Sequence, residues 1–293
     1  MGLFTKISGL AAFALASVAV AGVPSAAQAA VTVPVPCSVN ALSIAISAAN
    51  SQGAAILVLR GNCTYSITTA ATATDGLPVI TGDVTLQGSF GTVIRRSSSA
   101  LFRVLEVASG ATLSLQSVSV SNGSTAGLGG AILNAGTLHV GGGTFSGNKG
   151  GNGGAISISA GGDATVSAAL ITANTTTSVG GGGIINFGDL TVTGTTLSGN
   201  TAPINGGAVN TQPGGTTDFV SSTVVSNTSG GLGGGISNLG TTSLDHTHVQ
   251  TNKGSAGGGI ASGNTNITLV SSVVSGNIPD NCNPLNTIPG CHN

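Results

Sequence analysis

Asp163, Asp189 and Asp218 are the residues whose spacing best suits them to act together. Asp163 and Asp189 each stand eleven residues before an Asn that recurs through the second half of the chain. If the repeats stack, one acid lies above the other. Asp218 comes one repeat later and two residues further along. Such a row could bind calcium, or divide into a proton donor and a second carboxylate for glycosidic cleavage. The plainer reading is a solvated turn face. No cation donor is near in the sequence, and like charges stacked this closely repel unless a cation or proton intervenes. Asp163 and Asp189 are the metal candidates, and no cofactor other than calcium is implied.

Asp245-His246-x-His248 is the second constellation. Strand alternation separates Asp245 from His246 unless a bulge intervenes. His246 and His248 could share a face and bind a metal weakly, or all three could be exposed strand polars. Arg60, Arg95, Arg96 and Arg103 crowd the early part of the chain. They could contact an anionic glycan, or pair with Asp83 or Glu106.

Much of what catalysis needs is missing. The 293 residues include eight acids and seven Lys and Arg, one of them Lys6. There is no adjacent Asp-Asp, no G-x-S-x-G and no H-E-x-x-H. Glycine-spaced matches to nucleotide motifs are expected by chance in a chain with 49 Gly. The formal net charge is −1 and no basic run occurs, which argues against a nucleic-acid partner. With no Trp and one Tyr, aromatic platforms for sugars are nearly absent.

The positioning elements are written in the repeats. Asn148, Asn174, Asn200, Asn227, Asn252 and Asn277 recur at intervals of 26, 26, 27, 25 and 25 residues. The first five each precede a segment ending GGAI, GGGI or GGAV. A fixed period of this size marks a solenoid. Three residues before each Asn lie Phe145, Ile171, Leu197, Val224, Val249 and Val274. Eight before lie Val140, Val166, Val192, Phe219, Leu244 and Leu269. Nine before lie His139, Thr165, Thr191, Asp218, Ser243 and Thr268, all polar. Strand side chains alternate faces, so the apolar sets point into a common core and the polar set outward. The result is an all-β parallel β-helix with equivalent residues stacked roughly 4.8 Å apart. The Asn form a row suited to stacked amide hydrogen bonds. Asn134, Asn186, Asn210 and Asn238 suggest a second, partial row. Less regular rungs are expected at 84–86, 93–94, 105–107 and 113–115, with Asn122 or Gly123 ending the last.

The ends carry different signals. Lys6, the apolar stretch Leu10–Val23 and Ala27-Gln28-Ala29 read as a secretory leader over residues 1–29, cut after Ala29. A retained anchor is the alternative, but the stretch is short for a span of ~20 apolar residues. No later segment is apolar enough to cross a membrane. Residues 30–293 then form a single domain, with an N-terminal cap at 37–65, regular repeats over about 123–277 and a C-terminal cap at 278–293. Cys37, Cys63, Cys282 and Cys291 make an even count in an exported chain, which favours disulfides. Cys37–Cys63 with Cys282–Cys291 is the simplest of three connectivities. Zinc is the alternative, but no C-x-x-C is present. Ser38 as N-cap and Leu42, Ile46 and Ala49 on one face predict a helix over 38–50, able to cover the open end of the core. Ala55–Leu59 reads as the first strand.

Gly-Gly-Ala-Ile at 129–132 and 153–156, with Phe145-Ser146-Gly147-Asn148, resembles the GGA[IVL] and FxxN repeats of polymorphic membrane proteins. The chain also resembles secreted right-handed parallel β-helix proteins of actinobacteria, within the pectin-lyase-like superfamily. Cys37 to Tyr65, Gly76-Leu77-Pro78-Val79-Ile80, Ile94-Arg95-Arg96-Ser97 and the closing Asp280-Asn281-Cys282 to Pro289-Gly290-Cys291 carry that likeness. It implies a right-handed parallel β-helix. It does not select an activity, because the superfamily mixes lyases, hydrolases, adhesins and surface proteins. Nothing here could form the outer-membrane barrel that ends a polymorphic membrane protein.

These features predict a secreted, adhesin-like, non-catalytic β-helix that binds an extracellular glycan or cell-surface component. The alternative is a polysaccharide lyase or glycoside hydrolase of the pectin lyase fold. The loops at 149–152, 175–180, 201–205, 228–232 and 253–256 vary while the strands around them do not. They are expected to line one long edge and to serve as the binding surface. Ice binding fits poorly, because the row four before each Asn is broken by Leu170, His248 and Val273.

Overall fold

A computed structural model describes residues 30–284 and 287–292. The leader expected over 1–29 lies outside the described residues. The described chain is a parallel β-solenoid, and each regular rung visits four sheets. A five-residue strand enters sheet I and a three-residue strand enters sheet II. A buried Asn then turns the chain into a two-residue strand of sheet IV. A glycine loop finally delivers a three-residue strand to sheet III. One rung reads Asp163–Ser167, Leu170–Thr172, Asn174, Thr175–Thr176 and Ile184–Asn186. Among the described residues sheet I has ten strands, from Val31–Val35 to Ile267–Val270, and sheet II has nine.

The register follows the apolar rows. Phe145 pairs with Ile171, Ile171 with Leu197, and Leu197 with Val224. Val140, Val166, Val192 and Phe219 stack likewise in sheet I. All of these are buried, and Thr165 and Thr191 stay partly exposed on the opposite face. Only the last members, Leu269 and Val274, are half-buried, since no further rung covers them.

Two side-chain ladders fasten the corners. Between sheets II and IV each Asn turns inward and its amide spans neighbouring rungs. Asn174 Nδ2 donates to Asn200 Oδ1 at 2.9 Å, and Asn200 Nδ2 to Asn227 Oδ1 at 2.9 Å. Each amide also reaches a strand carbonyl of the preceding rung, as Asn200 does at Ile171 O, 2.9 Å away. The ladder position before Asn148 is Gly123, whose N–H donates to Asn148 Oδ1 at 2.9 Å. Asn122 takes the left-handed position ahead of it, with φ of +59°. A second ladder, not expected from the sequence, joins sheets I and II. Backbone N–H groups of Thr195, Ser222 and Thr247 donate to the hydroxyls of Ser222, Thr247 and Ser272.

The repeated Gly-Gly has a steric cause. Gly181 adopts φ of +69°, and a Cβ on Gly182 would stand 2.3 Å from the Gly207 carbonyl oxygen. Backbone loops stacked this closely leave no room for a side chain.

The caps form largely as expected. The helix spans Val39–Gln52, Ser38 caps it, and Leu42, Ile46 and Ala49 are buried against the first strands. Cys37 bonds to Cys63 and Cys282 to Cys291. The strand Val31–Val35 was not foreseen. It pairs in parallel with Ala54–Leu59, so the helix is the crossover between the first two strands of sheet I. The second Asn row needs correction. Asn134, Ile158, Asn186, Thr211, Asn238 and Ser262 share one register in sheet III. Asn210 pairs instead with Ile185 and Ser237 and points to the other side of the strand. There it lies buried under the glycine loops, and neither amide atom has a hydrogen-bond partner.

Candidate functional site

The outer face of sheet I carries in-register columns of polar side chains. Its middle column reads Thr85, Ser114, His139, Thr165, Thr191, Asp218, Ser243 and Thr268. The column beside it reads Asp83, Thr112, Thr137, Asp163, Asp189, Thr216 and Thr241. The strands alternate strictly, so every one of these side chains leaves the core. Adjacent members are one strand apart, roughly 4.8 Å. On the third column Gly141 falls between Gln116 and Ser167. With no side chain there, a groove of about 260 Å³ opens beside His139, bordered by Ser114, Gln116, Thr165 and Ser167.

The acidic row falls on this face, as its spacing predicted. Asp163 and Asp189 are register partners and both are exposed. Asp218 pairs with Thr191, is half-buried and accepts a hydrogen bond from Ser243 Oγ. The row therefore brings two carboxylates side by side and leaves the third on the neighbouring column. Calcium takes six to eight oxygen ligands. Among the described residues, no three of His, Cys, Asp and Glu converge as a metal site requires.

Asp245 and His246 do meet, against the expectation from alternation. His246 occupies the corner between sheets I and II with φ of +48°. The left-handed backbone swings its ring to Asp245, with Nδ1 2.7 Å from Oδ1. His248 belongs to the next strand, His248–Gln250, so the two imidazoles leave the chain from different elements.

Of the four early cations, Arg60 stands apart, exposed beside Pro34 and Val58, and the other three divide into two groups. Arg103 is nearly buried, and its Nε lies 3.1 Å from Asp75 Oδ1 and its Nη1 3.2 Å from Glu106 Oε2. The expected partner Glu106 is thus confirmed, Asp83 is not, and Asp75 was missed. Asp75 also accepts from Thr72 and Thr74 at 2.7 and 2.8 Å. Burial raises the Glu106 pKa above the ordinary carboxyl range, Asp75 beside it raises it further, and Arg103 opposes both. Arg95 and Arg96, by contrast, line a cleft of about 440 Å³ with Lys149. No carboxylate pairs with any of these three among the described residues. Burial also lowers the Arg96 pKa.

The variable loops line one long edge, as expected. Their first residues form sheet IV, and bridges such as Gly180 to Asn205 and Asn205 to Leu232 stack the rest. Beyond sheet IV the glycines fold over the outside of sheet III. That accounts for the burial of Ser157, Ile185 and Asn210 on its outward side.

No protein-family model matches the chain, and no curated protein matches its sequence. The fold defines the class: a parallel β-solenoid with disulfides near both ends. Two disulfides suit an oxidising compartment. No helix among the described residues is long and apolar enough to cross a membrane.

Proposed function

We propose that this chain is an exported, non-catalytic solenoid that binds an extracellular polymer, a glycan in particular, along the outer face of sheet I. The observation carrying this reading is the in-register polar column from Thr85 to Thr268, mostly hydroxyls with His139 and Asp218 among them, partly exposed on the outer face and flanked by one groove at His139. Hydroxyls repeating at a fixed pitch can exchange hydrogen bonds with successive units of an extended polyhydroxylated chain. The leader over 1–29 and the two disulfides support export. The test is co-sedimentation with insoluble neutral polysaccharides. Thr191→Arg, at a partly exposed position outside the core, should cut retention by roughly tenfold. Val179→Arg with Ile204→Arg, on the loop edge, should leave it unchanged. The opposite pattern would move the binding surface to the loops.

A second reading is favoured by the Asp163–Asp189 pair. The two strands stand roughly 4.8 Å apart, so this in-register pair can bring its carboxyls near the separation of about 5 Å used by retaining glycosidases. If that chemistry operates, reducing ends appear on incubation with a polysaccharide and vanish in Asp163→Asn and Asp189→Asn.

A further inference from the structure

Three of the chain's seven Lys and Arg meet in one cleft at the turn from sheet II toward sheet IV. Arg95 and Arg96 close the strand Val93–Arg96. Lys149 follows Asn148 two rungs further on, where its N–H donates to Gly123 O at 2.8 Å. Arg95 pairs with Ser121, and Ser121 with Ser146, which puts Arg95 on the outward side of sheet II. Ser97, Ser98 and Ser124 complete the polar lining.

Arg96 is fixed. Its Nε donates to Asn122 O at 2.9 Å, its Nη1 donates to the carbonyls of Ser98 and Ala100, and its guanidinium lies over the Phe102 ring at 5.6 Å. All its acceptors are neutral carbonyls, so its charge is uncompensated. Arg95 and Lys149 are exposed, and their side chains make no hydrogen bond or ion pair among the described residues. The acids lie elsewhere: Asp83, Asp163, Asp189, Asp218 and Asp245 are on sheet I, Asp75 and Glu106 are bound to Arg103, and Asp280 stands just before the C-terminal disulfide, where it accepts from Gly258 N–H at 3.2 Å. Three like charges gathered without a counter-charge repel one another, and an anion relieves that repulsion.

We propose that this cleft binds the carboxylate or sulfate groups of an acidic polysaccharide, with Arg95 and Lys149 as the contacting cations and Arg96 as a fixed centre between them. A nucleic acid needs many phosphate contacts along its length, and an anionic membrane calls for about four to eight clustered cations. Three cations beside serine hydroxyls suit a polymer that offers isolated charges among hydroxyls. The inference goes beyond the sheet I reading by adding a second, charge-reading site on another sheet, and rests on that reading only for the polymeric nature of the ligand.

The test is affinity electrophoresis of the full chain through gels holding polygalacturonate, dextran sulfate or neutral dextran, at two salt concentrations. Retardation by at least one acidic polymer, weakening with salt, is expected. Arg95→Ala with Lys149→Ala should lose roughly tenfold of that affinity with its melting temperature unchanged. The polygalacturonate and dextran sulfate arms decide between carboxylate and sulfate. Equal retardation of the double variant and the parent, or no retardation by either acidic polymer, overturns the proposal. Stronger retention of single-stranded DNA than of either polysaccharide overturns it as well. Thr191→Arg lies on another sheet and should leave acidic retardation intact. Undiminished sedimentation of that variant with neutral polysaccharide fails the sheet I reading alone, whereas unchanged acidic retardation of the Arg95 and Lys149 double variant fails this one alone.

Discussion

The rungs from Asn148 onward and the rungs before Val107 are built from the same strands but fastened differently. In the later half a neutral amide is repeated, and each Asn serves two rungs at once. In the earlier half each corner has its own device. A disulfide ties Cys37 to Cys63, Arg96 gathers three backbone carbonyls, and Asp75, Arg103 and Glu106 form a largely buried ion cluster. A shared amide works only where successive turns have the same shape. Where turn lengths differ, a reaching or covalent side chain must do the fastening. Ion pairing serves as a fastener there for the same reason, and Arg95 and Arg96, which no carboxylate pairs, form the cleft together with Lys149 of the later half.

The largest expected effect is on the repeated device. Asn200→Ala removes the donor to Ile171 O and Asn227 Oδ1 and the acceptor of Asn174 N–H, all buried. Stranding these groups should cost about 3–5 kcal/mol, read from urea unfolding. A loss below about 1 kcal/mol would mean that the amide row is decoration and the comparison is wrong. Next comes the covalent device. Replacing Cys37 and Cys63 by Ser should cost about 3 kcal/mol in the chain-entropy model. Since stacked repeats contact mainly their neighbours, hydrogen exchange should rise over 31–67 and stay slow around Asn200. Uniform acceleration would show the two halves to be one cooperative unit.

The smallest effect is expected from the ion cluster. Because the folded state raises the Glu106 pKa, it holds that proton more tightly than the unfolded chain does. This contribution is fully present below the ordinary glutamate range and is lost as pH rises through the raised value. Glu106→Gln should therefore flatten the fall of melting temperature over that interval. A fall of unchanged slope would assign the pH dependence to another group.

The regular half was readable because one residue type reappears at nearly constant spacing and fixes the phase of everything between. Phe145, Ile171 and Leu197 could be placed inside, and Asp163 over Asp189, from that phase alone. The errors have identifiable causes. Asn210 resembles the second-row Asn in type, but it stands four residues after Gly206, whereas Asn186 stands five after Gly181; that one-residue difference reverses the face it points to. Strand alternation would part His246 from Asp245, but the corner residue is left-handed, and this frees its ring to meet Asp245. The cleft was hidden because Arg96 and Lys149 are 53 residues apart and the rungs before Gly123 lack the Asn that would have fixed their register.

The Asn ladder also has a direction. From amide to amide each Nδ2 donates to the Asn of the rung after it and each Oδ1 accepts from the Asn of the rung before, so the row behaves as a one-way chain with a start and a stop. Asn148 starts it by accepting from Gly123 N–H. At the far end, the N–H and Nδ2 of Asn277 both reach Asn281 Oδ1, at 3.2 and 3.1 Å. Asn281 lies only four residues on, immediately before the segment closed by Cys282–Cys291. It thus imitates the Asn of a rung that does not follow, and its own Nδ2 turns away to His292 O at 2.7 Å. A terminator of this kind makes length adjustable. A unit of 25–27 residues duplicated anywhere between Asn148 and Asn277 would find a donor on one side and an acceptor on the other. The same unit added after Asn281 would find the chain already ended.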